Sequence, residues 1–492
     1  MTIAHKTIAG IIWNFAEQIG RKGIGMIVTL LLARFLAPSD FGLIAMMAVF
    51  LAVGTSLMDS GFKQALIRLQ GADQTDFNTA FYANLALGLL SYILLFLAAP
   101  QIAHFYNEPR LIVLVRTAGI GILINSFQVV QSAILSRNLN FSLQFRATIP
   151  AGIISGLIAV LLAFMGFGVW ALIIQMLVSA FINTVLLWKL QSWRPSLGFS
   201  RKSLGSMYNF GYKLFLSGLL ERIFENLYLI VIAKMFTATV LGHYFFADKI
   251  QHIVFRQLVG SIQNVTYPAL SILQHDNIRL KAGYRKVVRT TTFLLSPTMF
   301  FLAVLAQPAF QVFLPDKWLP AVPYLQLLCF AGLLHPLHAI NLNIIKVKGR
   351  SELFLYLEIY RKLVKTIIIV LSVGFGIYGI LYGQIISSIL AYIPNSYFSS
   401  RLIAYPVREQ LADFMPGLSL SFAAAVVIYG AEFLVEWPAF VELLVLAPLA
   451  WLLYFAGAHF LNLTAFVAIK EMAIARISKR GKQGLVKTVK WT

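Results

Sequence analysis

The second half of the chain repeats the first, and both halves are made of apolar runs long enough to span a bilayer. Gly166-Phe167-Gly168-Val169-Trp170-Ala171-Leu172 returns as Gly374-Phe375-Gly376-Ile377-Tyr378-Gly379-Ile380, an offset of 208. Phe15, Ala33, Arg34 and Gly42 return as Phe215, Ala233, Lys234 and Gly242, an offset of 200. Ala118, Gly119, Arg137 and Phe141 return as Ala331, Gly332, Arg350 and Phe354, an offset of 213. Three registers in one order, within a few residues of each other, describe a duplicated bundle. Many transporters are built this way, with the substrate site between the halves.

A bilayer core needs about 20 apolar residues in a helix. Fourteen segments meet that need, near 9–35, 40–60, 78–100, 111–135, 147–165, 169–190, 207–234, 239–264, 287–307, 319–344, 353–373, 377–400, 413–431 and 440–462. The chain is 59% apolar and only 12% charged, against roughly 25% charged in soluble proteins. The expected fold is therefore an all-α integral membrane protein. It divides into a six-helix bundle over 1–203, a second over 204–403, a two-helix hairpin over 404–463 and a basic tail over 464–492. Each repeat has an even number of spans, so both enter the membrane the same way, related by a pseudo-twofold along its normal. The first apolar run continues to about Leu36 with no small-residue cleavage pattern and reads as a retained span.

The net charge of +21 invites a nucleic-acid reading. Its distribution argues otherwise. With the N-terminus inside, 26 Lys and Arg fall in or beside the inner connections and the tail, and four (Arg34, Arg110, Lys234 and Lys317) fall outside. The last outer hairpin is acidic, with Glu432, Glu436 and Glu442. That asymmetry places both termini in the cytoplasm, and the excess charge meets anionic lipid rather than nucleic acid. The single cysteine, Cys329, gives no disulfide or metal framework. There is no Walker loop, HExxH, zinc-ligand spacing or GxSxG, and the outer connections are too short for a catalytic domain, so no cofactor or metal is expected.

Ten further basic residues lie inside the expected spans: Arg21, Lys22, Arg116, Lys213, Arg222, Lys249, Arg256, Arg361, Lys362 and Lys365. Six acids accompany them: Glu17, Asp59, Glu221, Glu225, Asp248 and Glu358. A lipid-facing charge at mid-bilayer costs about 2.5–3.5 kcal/mol. Ten would cost on the order of 25–35 kcal/mol, more than a typical domain's net stability. They must line water or snorkel. Asp59, Lys213 and Lys249 have a second reading as snorkelling groups at cytoplasmic or interfacial ends, and Glu17 with Arg21 one as a structural pair.

Spacing favours a lined cavity. Glu358, Arg361, Lys362 and Lys365 share one helix face, and Asp248, His252 and Arg256 form another stripe. Arg222, flanked by Glu221 and Glu225, matches Lys22 at the offset of 200. The basic surplus suits an anionic headgroup such as a diphosphate, held by Arg21, Arg222, Arg256, Arg361, Lys362 and Lys365. Glu17, Glu221, Asp248 and Glu358 would balance charge in the empty cavity, and one of them would carry a coupling proton. His335 and His338, flanking Pro336, read as core histidines at a kink.

Several short motifs carry a resemblance. They are Lys6-Thr7, Gly10 and Trp13; Leu32-Ala33-Arg34 with Phe41-Gly42-Leu43; Asp59 with Gly61; Arg137, Leu139 and Phe141; Pro268-Ala269-Leu270-Ser271; Asp316-Lys317-Trp318; and Leu325-Gln326-Leu327-Leu328. In this order, over about residues 1–400, the chain resembles the polysaccharide transporter family of the multidrug/oligosaccharidyl-lipid/polysaccharide flippase superfamily, nearest its colanic-acid-type repeat-unit translocases. The resemblance implies a fourteen-helix flippase in a bacterial inner membrane. Such a protein moves an undecaprenyl-diphosphate-linked oligosaccharide across by alternating access around a cationic cavity, for exopolysaccharide or O-antigen synthesis. It also implies a polysaccharide polymerase and a chain-length regulator as partners, and coupling to a proton or sodium gradient. Related peptidoglycan-precursor flippases place arginines on their first and eighth helices, where Arg21 and Arg256 lie here; the charge on the eleventh helix is a departure.

Two other functions stay open. A cation-coupled drug antiporter of the same fold calls for an acid-dominated cavity, against the basic surplus. A polymerase or ligase calls for a large external loop, which the chain lacks.

Overall fold

The structure, a computed structural model, describes residues 3–434, 437–467 and 470–471; the side chains of 3–12, 254, 256–265, 267 and 433 fall outside the described set. Most of the expected basic tail, and the side chains of Lys6 and Arg256, thus lie outside the described residues. All regular structure among the described residues is helical. The chain forms two compact units, Met1–Phe245 and Phe246–Thr492.

The first unit holds α1 (Ile3–Phe35), α2 (Pro38–Asp59), α3 (Phe62–Arg68), α4 (Gln74–Tyr106), α5 (Leu111–Ser126), α6 (Val129–Arg137), α7 (Phe141–Phe164), α8 (Val169–Leu190), α9 (Arg201–Glu225), α10 (Leu227–Met235) and the opening of α11 (Ala238–Ile272). α7 packs between α1 and α8, and α5 between α4 and α8. The boundaries follow local chemistry. Pro38 opens α2, where its missing N–H costs nothing, and Asp40 Oδ2 accepts from Ala37 N at 2.9 Å. Asp73 caps α4 by accepting from Asp76 N at 2.8 Å. Phe62, Leu66, Phe81, Val130 and Ile134 close a core under α3, α4 and α6.

The second unit holds the rest of α11, then α12 (Asn277–Val304), α13 (Ala306–Phe313), α14 (Val322–Gly332), α15 (His335–Val347), α16 (Ser351–Ser372), α17 (Gly376–Ile403), α18 (Val407–Leu434) and α19 (Ala439–Phe460). α12 packs on α18, α18 on α19, and α16 on α17. Phe293, Phe300, Ile428 and Tyr454 knit α12, α18 and α19 together, and the Tyr454 hydroxyl donates to Phe293 O at 2.8 Å.

Every segment read as a span lies on helix. Among the described residues, nine helical segments are long and apolar enough to cross a membrane, or up to ten if Leu111–Ser126 and Val129–Arg137, bent by 44°, form one span. The segment Ser351–Ile403 holds two expected spans, α16 and α17, folded against each other across Val373–Phe375. The expected spans on α1, on α9 with α10, and on α11 are not among these segments. Several helices extend past the expected spans, α12 by the most at one end. α12 begins at Asn277, not near 287, because Asp276 Oδ1 accepts from Ile278 N and Arg279 N at 3.1 and 3.0 Å and caps a charged first turn.

The repeated Gly-Phe-Gly has a backbone reason. Gly168 precedes α8 at φ 54° and Gly376 opens α17 at φ 75°. That left-handed region is cheap only for glycine. Helix ends repeat as well: α1 and α10 stop at Phe35 and Met235, and α2 and α11 start at Pro38 and Ala238, both at the offset of 200.

Candidate functional site: charged faces inside the helical units

α16 is inverted relative to a soluble amphipathic helix. Leu355, Ile359, Leu363 and Ile367, each four residues apart, are exposed. Glu358, Arg361, Lys362 and Lys365, on the other face, are half-buried against the protein. In lipid this is the expected sense, since the bilayer solvates the leucines and protein or water must solvate the charges. Arg361 Nη1 donates to Glu358 Oε1 at 2.8 Å. Lys362 and Lys365 also have interaction partners within the protein.

In the first unit, Arg21 Nε stands 3.2 Å from Glu17 Oε1 one turn earlier on α1. Glu17 is 14% exposed and Arg21 59%, so the carboxylate is the held member and the guanidinium projects. Glu221 and Arg222 are both exposed near the end of α9, where Asn226 Nδ2 donates to Arg222 O at 2.8 Å. In the second unit, His252 Nε2 is 3.4 Å from Asp248 Oδ1 on α11. The expected stripe on that helix continues to Arg256, whose side chain is outside the described residues. The structure thus joins Glu17 with Arg21, Asp248 with His252, and Glu358 with Arg361. Among the described residues no group of His, Cys, Asp and Glu is arranged to hold a metal ion.

A second charged cluster was not singled out in the sequence. Lys281, Arg285 and Arg289 recur every fourth residue on α12, and Glu409 and Asp413 do so on α18. They zip together. Lys281 Nζ lies 3.0 Å from Glu409 Oε2. Arg285 donates to both Asp413 oxygens, at 2.6 and 3.0 Å, and Arg289 Nε donates to Oδ1 at 2.8 Å. Tyr405, in the turn before α18, donates its hydroxyl to Asp413 Oδ2 at 2.5 Å. Burial, then the Asp413 hydrogen bond and charge, push that hydroxyl above its ordinary range, so it remains a donor.

The profile of a family described as "Polysaccharide biosynthesis protein" matches residues 31–323, more than half of the chain. The chain belongs to this polysaccharide biosynthesis protein family. It is 26% identical over 445 residues to the succinoglycan biosynthesis transport protein ExoT of Rhizobium meliloti, covering 88% of each chain. It is 24% identical over 446 residues to the lipopolysaccharide biosynthesis protein WzxC of Escherichia coli, covering 87% of this chain and 90% of that one. The fold is shared with a solved lipid II flippase MurJ in an inward closed conformation, at a TM-score of 0.73 and 15% identity over 92% of this chain and 98% of the other. An inward-facing multidrug resistance transporter of the MATE family also matches, at a TM-score of 0.60 and 17% identity over 77% and 95%. This member of the family is a multi-pass membrane protein that shares its fold with both solved structures.

Within this family member, the expectation of a core histidine at a kink holds for His338, whereas His335, before Pro336, is exposed. α14 ends at Gly332, Pro336 sits in the first turn of α15, and the kink is a break. The buried His338 faces Ser388 O through Nε2 and Asn395 Nδ2 through Nδ1, both at 3.0 Å. A neutral imidazole fills both roles, donating to the carbonyl and accepting from the amide. Tyr392, Ser396, Ser399 and Gln410 extend this buried polar layer between α15, α17 and α18. The sequence offered a signal for it, Asn395, Ser396 and Ser399 inside an apolar helix, which in a membrane demands polar neighbours.

Proposed function

We propose that this chain is a flippase that moves lipid-linked oligosaccharide repeat units across a bacterial inner membrane for surface polysaccharide synthesis. Family membership and the transport and biosynthesis names of its relatives support the reading. The observation that carries it is α16, whose cations Arg361, Lys362 and Lys365 turn away from the apolar exposed face. Charges so placed in a bilayer mark a substrate or ion pathway.

In this reading fourteen spans form two six-helix bundles, 1–203 and 204–403, with a hairpin at 404–463 and both termini in the cytoplasm. Arg21, Arg222, Arg256, Arg361, Lys362 and Lys365 hold the diphosphate and any acidic sugars. Glu17, Glu221, Asp248 and Glu358 take over the cations when the site empties. The Glu358–Arg361 pair at 2.8 Å is the resting form of that exchange. A substrate shifts the inward–outward equilibrium only through its differential affinity for the two states. Carboxylates competing for the same guanidinium weaken binding in one state and so permit release. One of these carboxylates carries the proton of a coupling gradient, or sodium takes that place. A polysaccharide polymerase and a chain-length regulator act next on the cargo.

Deletion in the host, followed by analysis of surface polymer and lipid-linked intermediates, tests the reading. Loss of polymer with repeat units held on the inner leaflet is the expected outcome. Intact polymer together with new sensitivity to cationic drugs would overturn it in favour of a drug antiporter. Arg361→Ala and Lys362→Ala should each reproduce the loss while membrane levels of the protein stay normal.

A further inference from the structure

The zipped cluster on α12 and α18 borders a pocket of about 500 Å³ lined by Lys281, Arg285, Lys286, Arg289, Thr290 and Thr464. None of these residues belongs to the proposed transport site. The acids within reach are Glu409 and Asp413, so four cations meet two anions and a charge of about two remains uncompensated. Asp413 is 3% exposed, and it holds the guanidinium groups of Arg285 and Arg289 side by side. Arg289 spends Nε and Nη2 on that carboxylate, which leaves Nη1 for another acceptor. Lys286 enters no ion pair among the described residues. Two threonine hydroxyls complete the polar lining, with Ile278 and Ala465 as its apolar margin.

The position along α12 identifies the medium. The pocket takes residues 278–290 of the helix, and the turns beyond, from Thr291 to Val304, carry the buried aromatic and aliphatic packing. A helix that changes from cationic to apolar within one turn marks the headgroup layer of a bilayer. An unspent guanidinium N–H beside an ammonium group offers charge-assisted hydrogen bonds to phosphate oxygens.

We propose that this pocket binds the phosphate headgroup of a membrane lipid. The inference is independent of the transport reading, because it concerns binding and is read out without transport. The phosphate has two lipid sources, glycerophospholipid and prenyl diphosphate, and a free phosphate ion is the rival.

The test uses the purified full-length chain in detergent, with dioctanoyl phosphatidic acid, dioctanoyl phosphatidylcholine, farnesyl diphosphate and inorganic phosphate as probes, and thermal unfolding and direct titration as readouts. Phosphatidic acid or farnesyl diphosphate is expected to bind and stabilise, with phosphatidylcholine far weaker. The tighter of the two assigns the lipid source. Lys286→Gln should weaken binding roughly fivefold and Lys286→Glu roughly thirtyfold, from about one surface charge interaction each per unit charge. Arg201→Gln, a basic residue of the other unit, should leave it unchanged. Inorganic phosphate binding as tightly as either lipid would overturn the proposal, and so would lipid binding indifferent to Lys286→Glu.

Discussion

Asp413 gathers three side-chain donors on one buried carboxylate. Its two oxygens accept from Arg285, Arg289 and Tyr405. Asp413→Asn keeps the volume and removes the charge that orders both guanidinium groups. Each charge-assisted hydrogen bond is worth about 1.5–3 kcal/mol, but water reaches the two arginines, a third exposed, and replaces part of it. A net loss of about 1–3 kcal/mol is expected, read as a lower unfolding temperature in detergent. A double-mutant cycle with Arg289→Gln should return a coupling of about 0.5–3 kcal/mol; a value indistinguishable from zero would mean that water already satisfies both groups. The cluster was legible in part. The spacing of four between Lys281, Arg285 and Arg289, and between Glu409 and Asp413, is on the page of the sequence. It was hidden because charge at a span's edge reads as connection, whereas the Asp276 cap makes those residues the first turns of α12.

At the scale of the element, α16 and the α2–α11 contact each make a claim. The two faces of α16 predict opposite phenotypes from adjacent residues. Leu363 is 57% exposed, so Leu363→Lys puts a charge in lipid at about 2.5–3.5 kcal/mol and lowers the amount of protein in the membrane. Lys362→Ala keeps that amount and removes transport. Immunoblots of membrane fractions beside polysaccharide assays separate the two, and equal membrane loss in both variants would contradict the assignment of faces. The second claim concerns Gly42 and Gly242. A Cβ on Gly42 would lie 1.8 Å from Ala238 O, and one on Gly242 would lie 1.8 Å from Pro38 O. Adding 200 to one half of this contact gives the other. No side chain fits between two backbones so close, so Gly42→Ala and Gly242→Ala should each force α2 and α11 apart. A cost of about 1–3 kcal/mol apiece is expected, similar for both because the contact is reciprocal; unfolding temperatures that differ widely between the two would deny the reciprocity. Here the sequence was informative because a repeated glycine marks a repeated backbone requirement. Residue spacing could not show that the requirement was one helix touching the other's carbonyl.

For the molecule as a whole, fold and function stand on different ground. The helical membrane fold followed from apolar length alone, and the family from ordered short motifs. Substrate does not follow from fold. The topology is open to direct measurement, and the repeat makes the measurement sharp. Cys329 is buried at 1%, so the native thiol gives little background. Ala37 and Thr237 are repeat-mates at the offset of 200, both exposed and both in the short connections before α2 and α11. Leu197 and His275 are exposed in the connections before α9 and α12, among the basic residues. Two bundles that enter the membrane the same way put Ala37 and Thr237 on one side, and the basic asymmetry makes that side the outer one. A membrane-impermeant maleimide added to intact cells should therefore label Ala37→Cys and Thr237→Cys. It should label Leu197→Cys and His275→Cys only after permeabilisation. Labelling Ala37→Cys and Thr237→Cys from opposite faces would make the repeats inverted and move their axis into the membrane plane. It would also put half of the basic connections outside, against the charge count, so a single experiment decides the orientation, the symmetry and the meaning of the +21 together.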